Sequence, residues 1–426
     1  MSASTQRLNY SQVPPRASSS RAIRNEITPT NGGGNFNMNS QIIFDLPANL
    51  NNTFCDFQSS YVKATITNND ETAVLFSGGG FPSCIKQIVL ELGGQTLFSC
   101  DNWNSLYEMM ISLDTSASFR TNAGQRLFGA GGGDGESIAA GASRTVCFPL
   151  VLTPLMCARY FPLIGRDRLR IRLILDTAAR GLIAATTGVA DSEIAISDVA
   201  LVTYSLELGS DVMNMVAANS GGAMKIAMPS YQFHQATLSS SATSLVATLG
   251  FSMSSLNRIL IAQQLQTISD TDRSVANRSR LRLNRFFVTI GGVKYPMRDV
   301  QDTGATGLLS GAEPLAEALI SQRALCSWAH DSSIAVGGGY SLQEGAGSSN
   351  TTTGSFLIDL DLESQRVAGG ESSVGLVAGV NCIGQVVQLT MEYAAAATND
   401  HVVNIYGEHT LLCSLDLNTL TWSIAV

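Results

Sequence analysis

The sequence has 426 residues, of which 45% are hydrophobic and 14% are charged, and it contains 39 glycines. A chain of this length can form two or three domains that each bury an apolar core. The formal net charge of −8 excludes a protein whose main task is to coat nucleic acid, because phosphate binding needs a dense basic surface. Few charges and abundant turn residues favour many strands joined by loops.

Residues 1–25 are polar and predict a flexible N-terminal arm. The segment contains Arg7, Arg16, Arg21 and Arg24 and no acidic residue. Two interpretations stay open: an arm that contacts neighbouring subunits or nucleic acid, and a chain end that is merely unstructured. The segment lacks the apolar run of a signal peptide, and no window of about 18 apolar residues predicts a membrane-spanning helix. We therefore expect synthesis in the cytosol.

Apolar and polar residues alternate through the first half of the chain, a pattern that predicts strands with one buried face. The strand-like segments are QIIFDLP, SSYVKATITN, IKQIVLELGG, RTVCFPLVL, RLRIRLILD and EIAISDVALVTYSLELG. In RLRIRLILD we expect the alternate residues from Leu169 to Leu175 to face the core, and Arg170, Arg172 and Asp176 to face water or a partner. About eight strands result, enough for a β-sandwich.

A helix interrupts the strands in IVLELGGQTLFSCDNWNSLYEMM. Trp103, Leu106, Met109 and Met110 fall near three-and-four spacing and predict one apolar stripe, with Asp101 as the N-cap. The same order of strand, Gly-Gly turn, strand and helix recurs in FFVTIGGVKYPMRDV followed by EPLAEALISQRAL. The second helix has a proline suited to its first turn.

The repeated order of elements predicts two domains of one fold. The two Gly-Gly turns lie 198 residues apart (position 291 against position 93), close to half the chain. A short helical and glycine-rich stretch, residues 211–230, is the expected linker. We assign the first domain to residues 26–210 and the second to residues 231–426.

Motifs for catalysis and metal binding are missing from the sequence. The four histidines form no HxH, HExxH or Cys-His cluster, and no GxSxG or GxxxxGK motif occurs. The glycine-rich run GAGGGDGES is interpreted as a loop because it lacks the lysine of a phosphate cradle. The eight cysteines are widely spaced without a CxxC pair, which favours reduced thiols in the core. No cofactor or metal is expected.

Two charged segments leave alternatives open. Asp359, Asp361 and Glu363 in IDLDLE would line one strand face, which favours a solvated face over a calcium site. The basic segment RSVANRSRLRLNR includes Arg278, Arg280 and Arg282. Its arginines can contact phosphate, and inter-subunit salt bridges or a solvated loop are the favoured alternative because few aromatic residues accompany them.

Several segments together resemble the double jelly-roll major capsid proteins of tailless icosahedral double-stranded DNA viruses, the lineage of adenoviruses, tectiviruses and polinton-like viruses. They are EITPTNGGGNFNMNSQIIFDLPANLNNTFCDFQSSYVKATITN, GGQTLFSCDNWNSLYEMM, YFPLIGRDRLRIRLILD, ISDVALVTYSLELG, IGGVKYPMRDV and VAGVNCIGQVVQLTMEY. The similarity covers nearly the whole chain from Glu26 onward and consists of loose patterns.

The resemblance implies an all-β fold of two tandem eight-stranded jelly rolls, each with a short helix in an inter-strand loop. It implies a structural, non-enzymatic subunit of the virion that forms pseudo-hexagonal homotrimers, with neighbouring capsomers and penton and minor capsid proteins as partners. Weak contact with the genome or an internal membrane is left open, as is the role of the seven arginines Arg7, Arg16, Arg21, Arg24, Arg278, Arg280 and Arg282. The alternative function is a carbohydrate-binding or adhesive β-sandwich.

Overall fold

In the computed structural model, the segments with alternating apolar and polar residues form antiparallel strands. The structure describes residues 20–130, 137–157, 160–184, 188–267, 275–301, 311–322, 354–363 and 379–425. The strands of the first half are β1 (Ser20–Ile27), β2 (Phe36–Asn37), β3 (Gln41–Asp45), β4 (Thr53–Asn68), β5 (Val74–Phe76), β6 (Ile85–Leu92), β7 (Gln95–Cys100), β8 (Ser143–Phe148), β9 (Phe161–Pro162), β10 (Leu169–Leu175), β11 (Leu182–Ala184) and β12 (Ile194–Leu208). The strands of the second half are β13 (Ala223–Leu238), β14 (Ser244–Leu249), β15 (Leu256–Leu265), β16 (Leu283–Ile290), β17 (Val293–Gln301), β18 (Ile358–Asp361), β19 (Val387–Tyr393), β20 (His401–Asp416) and β21 (Trp422–Ala425).

Helices occupy a smaller part of the described chain. They are α1 (Trp103–Asp114), α2 (Ala117–Thr121), α3 (Ala123–Phe128), α4 (Pro154–Cys157), α5 (Ala178–Gly181), α6 (Ser210–Asn219) and α7 (Ala312–Ser321). Short 3₁₀ turns cover Gly32–Gly34, Phe81–Cys84 and Asp191–Glu193.

The two halves share one strand order. The main path of one sheet in the first half is β1-β12-β4-β8, and the facing sheet is β3-β10-β6-β7. The second half has β13-β20-β15-β18 and β14-β19-β16-β17. When the eight principal strands of each half are counted in chain order, both halves read 1-8-3-6 and 2-7-4-5, which is the double-sheet jelly roll. The predicted fold of two tandem jelly rolls is confirmed.

The predicted hairpin turns and loop helices occur at equivalent places in the two barrels. Gly93 and Gly94 join β6 to β7 with φ of 59° and 84°, and Gly291 and Gly292 join β16 to β17 with φ of 57° and 85°. Two successive residues with positive φ match the turn that suits a two-residue hairpin, and glycine adopts it without strain. Helices α1 and α7 both lie between the fifth and sixth principal strands of their barrel.

The predicted core face of β10 is confirmed, since Leu169, Ile171, Leu173 and Leu175 are all buried. The prediction that Asp176 faces water or a partner was wrong. Its side chain is 4% exposed, accepts a hydrogen bond from Asn104 Nδ2 at 2.8 Å and lies 3.3 Å from Arg180 Nε. A buried carboxylate needs such partners, because without them its desolvation is costly.

Three predicted boundaries differ from the elements observed. Residues 20–25 of the predicted arm belong to β1, which pairs with β12, and residues 1–19 lie outside the described part of the chain. In the predicted linker, α6 is followed by β13, which begins at Ala223. The N-cap position of α1 is held by Asn102, which makes no side-chain capping bond, so the predicted cap at Asp101 was wrong.

Helix α7 is fixed to its barrel by Asp359 in β18, which is fully buried. Ser321 Oγ donates to Asp359 Oδ1 at 2.9 Å, Gln322 Nε2 donates to Oδ2 at 3.1 Å, and Arg258 Nη1 lies 3.4 Å from Oδ2. The prediction of a solvated strand face was therefore wrong for Asp359, because the end of α7 covers it. Desolvation raises the pKa of this carboxyl to about 6, although Arg258 opposes the shift.

The raised pKa of Asp359 predicts a specific pH dependence of stability. Between the ordinary pKa of 3.8 and about 6, the folded protein holds a proton that the unfolded chain has released, so rising pH lowers the free energy of unfolding. Urea denaturation across this range should show the native protein losing stability relative to Asp359→Asn and then levelling off above pH 6.

The variant Asp70→Asn is a control for which we expect the opposite change of stability with pH. A hydrogen bond from the Thr72 hydroxyl lowers the pKa of Asp70, so the native protein should gain stability relative to this variant as the pH rises. The assignment would be contradicted if the native protein gained stability relative to Asp359→Asn as the pH rises. It would also be contradicted if the difference in stability between the two proteins did not change with pH.

Candidate assembly interface

Helix α1 lies where the two barrels meet. Its apolar stripe was predicted to pack, and the structure buries the eleven residues from Trp103 to Leu113. On the side of the first barrel, Glu108 accepts hydrogen bonds from the Gly79 amide at 2.8 Å and the Ser83 hydroxyl at 2.6 Å. Trp103 stacks on Tyr107, with ring centroids 5.1 Å apart. The predicted core position of Trp103 is confirmed.

Polar groups of the second barrel bind the other side of α1. Tyr406 in β20 donates its hydroxyl proton to the Asn102 carbonyl at 2.8 Å. Ser105 Oγ lies 3.3 Å from Gln264 Oε1, which also accepts from Asn404 Nδ2 at 2.8 Å. These groups are buried, so each bond avoids the cost of an unpaired polar atom and fixes the helix in one position.

A second contact between the barrels is formed by Trp422 in β21. Its indole stacks on Phe161 of the first barrel, with centroids 5.0 Å apart and planes 9° from parallel. The Trp422 amide donates to Asp167 Oδ2 at 3.2 Å, and the Arg166 amide donates to the Leu420 carbonyl at 2.9 Å. The C-terminal hairpin of the second barrel is therefore bound to a loop of the first.

A small apolar cluster extends this contact. Phe54 and Ile164 of the first barrel pack with Met224 and Leu415 of the second, separately from the main core. Because the two barrels share buried apolar surface at two places, they form one block.

The arginines predicted as contact residues are not gathered in one place. Arg21 and Arg24 are exposed on β1, where Arg24 Nη2 lies 2.8 Å from Glu26 Oε1 and donates to the Tyr61 hydroxyl at 3.4 Å. Arg282 is exposed at a turn of the second barrel, with φ of 53°. Arg7 and Arg16 lie outside the described residues. Contacts of Arg21, Arg24 and Arg282 with partners stay a prediction.

Arg278 and Arg280 do not fit the prediction of contacts with partners, because they are 1% and 0% exposed within the chain. Arg278 donates to the carbonyls of Phe356 at 3.1 Å and Ser355 at 3.2 Å, and to Ser112 Oγ at 3.0 Å. Ser112 belongs to α1, so Arg278 connects the second barrel to the helix between the barrels. A guanidinium has several donors in a rigid fork, which suits this internal role.

The cysteine prediction is confirmed where the structure describes the side chains. Cys55, Cys84, Cys100, Cys382 and Cys413 are buried free thiols, and Cys147 is partly buried. Burial raises the pKa of Cys55 to about 12 and that of Cys84 and Cys100 further. These thiols stay protonated at neutral pH, which makes them poor nucleophiles and poor metal ligands.

Within the described ranges, histidine, cysteine, aspartate and glutamate side chains form no group suited to hold a metal ion. None of the helices in those ranges has the length and hydropathy needed to cross a bilayer. The run GAGGGDGES lies partly outside them, since residues 131–136 are not described.

Three residues of the barrel contact were missed by the sequence analysis: Gln264, Asn404 and Tyr406. Each is a side chain with a polar group in a segment predicted to be a strand, in LNRILIAQQ and VVNIYGEHTLLC. Buried polar residues of this kind need partners, so their position in a core strand was the available signal.

The Trp422 contact predicts how the barrels separate. Trp422→Ala should lower the free energy of unfolding by about 1–3 kcal/mol, because it removes a partly buried aromatic pair. Trp422→Phe keeps the stacking and should cost less. Urea denaturation measures both, and limited proteolysis should show faster cleavage between the barrels in the alanine variant.

Gly165 gives an independent check of the same contact. A β-carbon at Gly165 would lie 2.5 Å from Trp422 Nε1, so Gly165→Ala should destabilise the native protein by steric conflict. In the Trp422→Ala background this conflict is gone, and the double variant should lose less stability than the two single losses added together. Additive losses would show that the two residues do not touch.

No protein-family model and no curated protein matches the sequence. Solved structures do match the fold. The PBCV-1 virus capsid structure has a TM-score of 0.65 at 11% sequence identity, covering 98% of this chain and 99% of that chain. The Faustovirus major capsid protein has a TM-score of 0.64 at 9% identity, covering 95% of this chain and 92% of that one.

The mavirus major capsid protein is a third match, with a TM-score of 0.54 at 11% identity, covering 98% of this chain and 92% of its own. Identities this low make the similarity one of fold. The matches extend over nearly the full length of both chains in each pair, so they include both barrels. The chain has the double jelly-roll fold of these viral capsid proteins.

Proposed function

We propose that the chain is a major capsid protein: a structural subunit that forms pseudo-hexagonal homotrimers and tiles an icosahedral shell around a double-stranded DNA genome. The observation that carries the proposal is the pair of barrels with identical strand order, joined into one block by α1. Capsid structures of three viruses match this fold along almost their whole length.

The geometry explains why such a block is a useful tile. A chain with two similar barrels presents two similar outer walls, so three chains in a cyclic trimer present an outline of six. Flat tiles of six-fold outline cover a surface without gaps. A block whose barrels were free to swing would lose orientational entropy on assembly, and the buried contacts of α1 and Trp422 remove that freedom in advance.

The mechanism is association, and we assign no enzymatic activity to the chain. Two buried carboxylates are engaged within the fold, Asp359 with Ser321 and Gln322 and Glu108 with Gly79 and Ser83. Obligate interfaces commonly bury more than about 2,000 Å², mostly apolar at the centre.

The proposed partners are further copies of the chain, neighbouring trimers, and penton and minor capsid proteins, and the proposed location is the virion. The net charge of −8 makes extensive genome contact unfavourable, so any such contact is local and involves exposed arginines such as Arg21, Arg24 and Arg282.

Carbohydrate binding is the weaker alternative. Sugar-binding surfaces commonly present exposed aromatic rings, but Trp103 is fully buried and Trp422 stacks on Phe161. Neither tryptophan is an available platform for a sugar ring.

Negative-stain electron microscopy combined with mass determination tests the proposed function. The purified protein should give hexagon-shaped particles with a mass of about 135 kDa, three times 45.1 kDa, or closed shells built from them. A monodisperse monomer at high protein concentration would contradict the proposal, and a monomer that binds a glycan array would favour the alternative.

A further inference from the structure

We propose that helix α7 is a pH-dependent lid over strand β18: it stays closed in acid and opens more often near neutral pH. The opening is local, and both barrels stay folded while it occurs. Strand β18 is the outer strand of its sheet among the described residues, and α7 packs on it. Opening would uncover a strand edge, the kind of surface that pairs with other chains. The inference does not rest on the proposed function.

The lid is held mainly at its C-terminal end. Ser321 Oγ donates to Asp359 Oδ1 at 2.9 Å and Gln322 Nε2 donates to Oδ2 at 3.1 Å, and these bonds leave the Asp359 side chain 0% exposed. The buried residues of the helix are Pro314 and Ala318, so its apolar attachment to the barrel is small. The contact of α7 with its barrel therefore depends strongly on one carboxyl group.

Two carboxylates share one guanidinium beneath the lid. Arg258 Nε lies 2.5 Å from Glu408 Oε2, whereas Arg258 Nη1 lies 3.4 Å from Asp359 Oδ2. Arg258 Nη2 donates to the Tyr231 hydroxyl at 3.3 Å, and burial raises the pKa of that hydroxyl, so it carries no charge. With both carboxylates ionised, the group has one negative charge in excess in a place that water does not reach, which is costly. Asp359 is the carboxylate farther from the guanidinium.

The neighbouring elements add no cation that would balance this charge. Asp361 is the second acidic residue of β18, and Glu313 and Glu317 are those of α7. His409 on β20 is buried, and desolvation lowers the pKa of its imidazole, which favours the neutral form. Across the described elements α7, β15, β18 and β20, Arg258 is the one arginine, and none of the four contains a lysine.

Opening of the lid changes the surroundings of the Asp359 carboxyl. In the closed position, desolvation raises its pKa to about 6 from an ordinary value of 3.8, and in the open position water reaches the group and the pKa falls back. The closed position therefore binds the proton more tightly, and loss of the proton as the pH rises favours opening. From these two pKa values, the ratio of open to closed lid should rise about tenfold between pH 5 and pH 7.5.

Hydrogen exchange with mass spectrometry tests the proposal on the intact protein. Rates are measured at pH 5 and pH 7.5, corrected for the intrinsic effect of pH, at a concentration where mass determination gives the same oligomer at both values. Peptides covering α7 should exchange while peptides covering β16 are still protected, because the lid opens without global unfolding. Their corrected rate should be about tenfold higher at pH 7.5.

Two variants connect this change to the buried charges. Asp359→Asn has no proton to lose at this position, so its α7 peptides should exchange at the same corrected rate at both pH values. Glu408→Gln removes the carboxylate that competes for Arg258 and that raises the pKa of Asp359, so the change should shrink to below about threefold. Asp70→Asn, in the first barrel, is the matched control and should keep the tenfold change.

Two results would overturn the proposal. If α7 and β16 peptides exchanged at the same corrected rate, the helix would leave its barrel only when the whole protein unfolds. If the tenfold change persisted in Asp359→Asn, another group would be responsible for it.

Discussion

Burial of helix α1 between two barrels is the constraint on which the rest of the structure depends. The helix belongs to a loop of the first barrel and packs there against Phe81–Cys84 and β6, yet Asn102, Ser105 and Ser112 form hydrogen bonds with the second barrel. Separating the barrels would leave these buried polar groups without partners, at a cost of about 1–3 kcal/mol each. A duplicated fold thereby becomes a single block.

Hydrogen bonds between buried polar groups fix the position of α1 against the second barrel. Apolar surfaces slide over one another at little cost, whereas Tyr406, Gln264 and Asn404 each need a partner in one position. A misplaced helix would leave these groups unpaired in the interior, at a cost of about 1–3 kcal/mol each. The angle between the barrels is therefore set by this network.

Much of the fold was predictable from sequence because the responsible signals are local. Alternation identified the core face of β10, and the two glycine pairs identified equivalent hairpins, since only glycine adopts those φ angles readily. Burial by distant elements has no local signal. Arg278 and Arg280 resemble a solvated basic loop in sequence, and Asp359 resembles an exposed strand residue, because the elements that cover them lie far away along the chain. Gln264 and Asn404 lie in predicted strands, which is a weak local signal, but Ser105, to which Gln264 bonds in the barrel contact, lies far away along the chain.

The long sequence separation within the barrel contact has a consequence for synthesis. The bond between Asn102 and Tyr406 joins residues 304 positions apart. At about 5–20 residues per second, the ribosome needs on the order of 15–60 seconds to make the intervening chain. During that time the first barrel has emerged while the surface that will cover α1 does not yet exist. Until the second barrel is made, Asn102, Ser105 and Ser112 lack partners that bind them in the finished chain, so the two barrels become one block only late in synthesis.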